Sequence, residues 1–153
     1  MTAAPIVQTD AILSLLRSAC TIAIVGLSPK PHRESFGVAQ YLQAAGYRII
    51  PVNPVVAASA NPHILGEPCY ADLRSAANSL PAGQRIDIVN IFRNSDDVPP
   101  VVDEAIAVQA GAVWMQLGIS HDDAATKANT AGLQVVQDRC IKIDHRDLLR
   151  CNI

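Results

Sequence analysis

Apolar positions along this chain follow two alternating rhythms. Residues 21–26 (TIAIVG), 47–54 (YRIIPVNP), 86–92 (IDIVNIF), 112–118 (AVWMQLG) and 133–138 (LQVVQD) are short, nearly continuous apolar runs. Runs of this length predict strands buried on both faces. Between them the apolar residues recur at helical spacing. Ile12, Leu13, Leu15 and Leu16 form the stripe of a helix capped at Thr9 or Asp10 and reaching about Ala19. Phe36, Ala39, Tyr41, Leu42 and Ala45 do the same for residues 35–45, and Gly46 stops that helix. Residues 55–67 read mostly as loop, and ILGEPCYADL as a turn and a very short extended piece before a helix capped by Asp72. Ser95 or Asp96 opens a helix to about Ala110, with Pro99 and Pro100 in the first turn, where a missing N–H costs least. Ser120 caps the next helix, and a short terminal helix follows from Asp144.

Alternation of strand and helix implies parallel pairing through right-handed crossovers. The predicted fold is therefore α/β: a three-layer Rossmann-type fold with a five-stranded, mainly parallel sheet. Numbered along the chain, its strands are expected in the order 3-2-1-4-5. Ligands of such sheets sit beyond the C-terminal strand ends, at the switch point, here between the first and fourth strands. The loops after Gly26, Val52, Phe92, Leu117 and Asp138 are the ones to inspect.

Length adds one constraint: 153 residues suit a single domain over 1–153. Only 17% of residues are charged and the net charge is -2, which argues against broad binding of nucleic acid. The N-terminus lacks a basic segment leading into a long apolar run, so no signal peptide is read. No stretch nears the roughly 18 apolar residues of a membrane span. Cys20, Cys69, Cys140 and Cys151 form no CxxC pair, so metal-ligand spacing is missing and free thiols in a cytoplasmic protein are expected. The apolar composition suggests a homodimer.

The chemistry concentrates in IVGLSPKPHRES, residues 24–35, where the first strand passes into a helix. A helix N-terminus favours phosphate, because its N–H groups are unpaired and carry partial positive charge. Gly26 lets the backbone approach a ligand, Ser28 and Ser35 offer hydroxyls, and Lys30 and Arg33 offer charge. His32 is a weaker candidate. GxGxxG would need glycines at positions 28 and 31, which are Ser28 and Pro31. The P-loop pattern fails too, and VNP at the end of the second strand lacks the acid that meets an NAD ribose. The alternative for the loop is a solvated turn whose cations serve solubility.

Taken together, residues 22–54, ILGEPCYADL, DIVNIFRNSDDVPPVVDEAI, VWMQLGI and AGLQVVQDRCIKIDHRDL resemble the small stand-alone CoA-binding proteins, the YccU-like family, over nearly the whole chain after about residue 9. These resemble in turn the CoA-binding Rossmann domain of the succinyl-CoA synthetase α subunit. The resemblance implies coenzyme A, free or as acyl-CoA, across the C-terminal edge of the sheet. It implies Gly26, Ser28, Lys30, Arg33 and Ser35 at the phosphates and Val52, Asn53 and Pro54 at the adenine and ribose. It places Phe92 and Arg93 beside the pantetheine or pyrophosphate, and Gln116 and Gly118 near the thiol. Gly37 stands where the family leads one to expect a larger, often basic residue. CoA brings roughly four negative charges, a match for Lys30, Arg33, Arg93 and two helix N-termini.

Other residues keep two readings. Arg93 points into the site or pairs with Asp96 and Asp97. Cys140 is a small buried apolar residue, or a thiol near the CoA sulfur that Arg139 or Lys142 activates. Trp114 is core packing or a stacking platform. His63 and His145 lack a recognisable partner, and no catalytic triad or paired acid and base stands out. A non-catalytic CoA-binding protein is the expected function. The alternatives are an NAD(P)-binding oxidoreductase-like protein, a partner subunit of an acyl-CoA ligase whose other domains this chain is too short to hold, and a CoA or redox sensor using Cys140. A protein partner follows from the last two.

Overall fold

A computed structural model describes residues 5–150. Cys151 lies outside them. The strands are β1 (Thr21–Val25), β2 (Arg48–Val52), β3 (His63–Ile64), β4 (Glu67–Pro68), β5 (Ile88–Ile91), β6 (Ala112–Met115) and β7 (Gln134–Val136). The helices are α1 (Pro5–Ser18), α2 (Glu34–Ala44), α3 (Pro54–Ala57), α4 (Leu73–Asn78), α5 (Val98–Ala107), α6 (Asp122–Thr130) and α7 (Ile141–Arg150). Five strands form one parallel sheet in the order β2-β1-β5-β6-β7. β3 and β4 make a separate antiparallel hairpin.

Side chains alternate across the sheet and build two apolar layers. Ile22, Ile24, Ile49, Ile88, Trp114 and Val136 pack with Ile12 and Leu16 of α1, Leu42 of α2 and Ile141 of α7. Ala23, Val25, Ile50, Val89, Ile91, Val113 and Met115 pack with Leu73 of α4, Val102 of α5 and Ala128 of α6. Strands covered on both faces need apolar residues at every position, which is why the runs read as continuous. Each fully buried Ile or Leu contributes about 1.5–3 kcal/mol.

The strand order differs from the expected 3-2-1-4-5. The run ending at Phe92 lies beside β1, not beyond β2. The place beyond β2 belongs to one residue, Tyr70, which forms a parallel bridge with Val52. Its N–H donates to the Pro51 carbonyl at 3.0 Å, and its carbonyl accepts from Asn53 N at 2.9 Å. With that edge position filled, α4 carries the chain back over the face opposite α2 and delivers β5 next to β1. The switch point is therefore between β1 and β5, and the strand at Ala112 lies one place further out.

Element ends shift for local reasons. α1 begins at Pro5, so Thr9 and Asp10 are inside it. The stretch expected as loop holds α3, capped by Asn53, and the β3–β4 hairpin. A 3-10 turn, Ser95–Asp97, precedes α5, which ends before Ala110. His121 caps α6, its Nδ1 accepting from Ala124 N at 3.1 Å, where Ser120 was expected. α7 starts three residues before Asp144.

Candidate functional site

β1 and β5 end side by side, and their loops touch at one point. Gly26 has φ +88°, and a Cβ there would fall on the Phe92 carbonyl oxygen. Only glycine meets both conditions, so the turn out of β1 hugs the turn out of β5. Beyond Gly26 the loop is tied by its own serines. Ser35 Oγ accepts from Ser28 N at 3.0 Å, and Ser28 Oγ accepts from Lys30 N at 3.1 Å. Each hydroxyl hydrogen stays available to donate. Arg33 sits at the N-cap of α2 and makes no side-chain capping bond. The first turn of α2 therefore keeps its positive end open toward this loop.

Two recesses of about 320 Å³ each lie along this edge. Gly26, Ser28, Arg33, Glu34, Ser35 and Phe92 line the first. Glu34, Phe92, Arg93, Asn94, Ser95 and residues 116–119 line the second. They adjoin at Glu34 and Phe92. A larger depression of about 440 Å³ is lined by Asp10, Leu13, Ser14, Arg17 and Ser18 alone. It is a groove on one face of α1 that reaches Ser18, beside the N-terminal starts of the strands and not their C-terminal ends.

The far wall of the second recess is braced by the loop after β7. Asp138, itself at φ +56°, accepts from Gly118 N through Oδ1 at 2.6 Å and donates its N–H to the Ile119 carbonyl at 3.0 Å. Below, the Trp114 indole N–H donates to the Arg139 carbonyl at 2.8 Å. The Arg139 guanidinium grips Asp144 with two bonds of 2.6 and 2.9 Å, and this hydrogen bonding pushes its pKa up. Trp114 is thus core and anchor in one, wholly buried.

The structure gathers Gly26, Ser28, Arg33, Ser35, Phe92, Arg93, Gln116 and Gly118 around the two recesses. Lys30 lies exposed on the same loop. Lys30, Arg33 and Arg93 form no ion pair among the described residues, so Arg93 pairs with neither Asp96 nor Asp97. Val52 is buried in its strand and Pro54 is the exposed first residue of α3. Asn53 has its amide committed: Nδ2 donates to the Leu27 carbonyl at 2.9 Å, and Oδ1 caps Val55 N and Val56 N. It ties the β1 and β2 loops together. Cys140 is half-buried against the α1/α2/α7 layer and lines neither recess. Gly37 faces open space, with room for the larger residue expected there.

Sequence reasoning missed Glu34, Asn94, Ser95, Leu117 and Ile119. Glu34 had a signal, being the residue next to Ser35 at the helix start; Leu117 is an exposed leucine next to a loop glycine. The histidines do have partners. His145 Nδ1 meets the Tyr41 hydroxyl at 2.9 Å and His63 Nδ1 meets Asn61 Oδ1 at 3.3 Å. Among the described residues no group of three or more His, Cys, Asp or Glu could hold a metal ion, and no helix is long and apolar enough to cross a membrane.

A sequence profile of the CoA binding domain matches residues 20–146, from the start of β1 into α7. The chain belongs to the CoA-binding domain family. Similar proteins share its length. YneT of Bacillus subtilis (strain 168), an uncharacterized protein, is 36% identical over 134 residues, 88% of this chain and 91% of its own. A hypothetical protein from Pyrococcus horikoshii OT3 superposes with a TM-score of 0.80 at 32% identity, covering 97% of this chain and 99% of that one. The cell-free ID.343 protein from Thermus thermophilus gives 0.80 at 32%, covering 92% and 98%. The two superpositions span more than nine-tenths of the CoA-binding domain's chain, so the fold is shared along nearly its whole length.

Proposed function

We propose that this chain binds coenzyme A, free or acylated, along the C-terminal edge of its sheet, and that it does so as a binding protein with no reaction of its own. In this reading residues 1–153 act as one binding unit in the cytoplasm. The observation that carries the proposal is the open N-terminus of α2 over the first recess, between Ser28, Arg33 and Ser35 and against Gly26. Phosphates belong there, because unpaired N–H groups, hydroxyl donors and an unpaired guanidinium converge. Lys30 and Arg93 extend the positive field toward either side. The second recess, joined at Phe92, runs toward Leu117 and suits the less polar pantetheine arm. The adenine side falls to the loop after β2, where Asn53 is half-buried and Pro54 is exposed beyond the buried Val52.

Calorimetry of the purified chain with CoA, 3′-dephospho-CoA, NAD and NADP tests this. CoA is expected to bind most tightly. The double variant Lys30→Ala with Arg33→Ala is expected to lose about tenfold or more in CoA affinity at low salt, a loss that shrinks as salt screens the charges. An unchanged affinity overturns the phosphate assignment.

A further inference from the structure

Among the described residues, two buried side-chain atoms have no hydrogen-bond partner: Oδ1 of Asn90 and Nε2 of Gln116. Their residues are 0% and 1% exposed, which makes unpaired amide atoms costly and asks for a reason. Main-chain groups fix how both amides are turned. Asn90 Nδ2 donates to the Trp114 carbonyl at 3.4 Å and to Gln116 Oε1 at 3.2 Å. The N–H of Ile141, first residue of α7, donates to the same Oε1 at 3.5 Å. A carbonyl only accepts and an N–H only donates, so neither amide can flip without losing a main-chain partner. Gln116 Nε2 is thereby held as a free donor, and Gln116 borders the second recess. Around it the recess is mixed: Phe92, Leu117 and Ile119 supply apolar walls, Leu117 being 57% exposed, and Glu34, Arg93, Asn94 and Ser95 supply polar ones. A buried, unspent donor at the edge of a recess with walls of both kinds suits a chain that alternates methylenes with amide groups, whose carbonyls can accept from it. The pantetheine arm is such a chain.

We propose that Gln116 contacts the ligand, donating through Nε2 to an amide carbonyl of the pantetheine arm, and that Asn90 is a positioning residue that holds Gln116 in that orientation. The inference rests on the CoA reading above and adds which group the second recess recognises. The test is calorimetry on the full chain with CoA and with adenosine 3′,5′-bisphosphate, which keeps the phosphates and lacks the arm. Wild type is expected to prefer CoA. Gln116→Met and Asn90→Leu are each expected to lose about tenfold in CoA affinity, the size of one buried hydrogen bond, and to keep their bisphosphate affinity. Retained bisphosphate binding shows that the variant is folded.

A second measurement needs no variant. The Gln116 side-chain NH2 resonance of the wild type is expected to move on adding CoA and to stay put with the bisphosphate. If the variants lose both ligands together, this resonance decides: movement upholds the assignment, and none overturns it. Variants that keep the full preference for CoA overturn it too. A wild type that binds the bisphosphate as tightly as CoA overturns the arm contact and leaves the CoA reading intact. A wild type that binds neither overturns both.

Discussion

Gly26 is under two constraints at once, a left-handed backbone and a neighbouring carbonyl where a side chain would start. Gly26→Ala must move the β1 loop away from Phe92. The expected cost is about 2 kcal/mol or more in stability, read by urea denaturation, together with a loss of CoA affinity. Gly37 is the contrast. It lies inside α2 with nothing near its absent Cβ, so Gly37→Ala is expected to raise stability by up to about 1 kcal/mol. Residues of the first recess were legible because a glycine, two serines and an arginine where a strand gives way to a helix have few other uses. Asn90 and Gln116 were harder. Each interrupts an apolar run, "IVNIF" and "WMQLG", and that interruption was the only trace of a buried amide pair. Which amide atoms remain unpaired depends on Trp114 and Ile141, which lie on other elements.

At the scale of elements, every main strand was visible as a run of apolar residues, and their neighbours were not. Periodicity says that a segment is buried. It does not say beside which strand. The single-residue bridge of Tyr70 displaced β5 to the other side of β1, and a bridge of one residue leaves no pattern to read. Helix ends slipped for a similar reason: α7 starts early because Gln116 accepts from its first N–H and Arg139 holds Asp144 one turn in. α7 also carries His145, whose ring meets the edges of Tyr41 and Tyr47. Burial pushes its pKa below 6.5. The unfolded chain then takes up this proton at higher pH than the folded one, so the unfolded state binds more protons. The contribution of His145 to stability is full above about pH 6.5 and is lost as the pH falls toward the folded value. Urea midpoints between pH 7.5 and pH 5 should decline more steeply for wild type than for His145→Gln.

Across the whole molecule, one sheet is shared by two apolar layers, so neither layer can loosen without exposing the other's strands. Trp114 is the single tryptophan and is fully buried on the α1/α2/α7 side. Its emission is expected to be blue-shifted when folded and to change at the same urea concentration as the far-UV circular dichroism. Separate transitions would mean that the two layers unfold independently.

The Tyr70 bridge has a consequence of another kind. Along the outer margin of β2 the main-chain groups of residues 49, 51 and 53 face away from β1. Pro51 has no N–H, its carbonyl is taken by Tyr70, and Asn53 gives its N–H to the same residue. The opposite margin is β7, three residues long. A foreign strand finds little ladder to extend on either side, which guards this apolar chain against fibril growth by lateral addition.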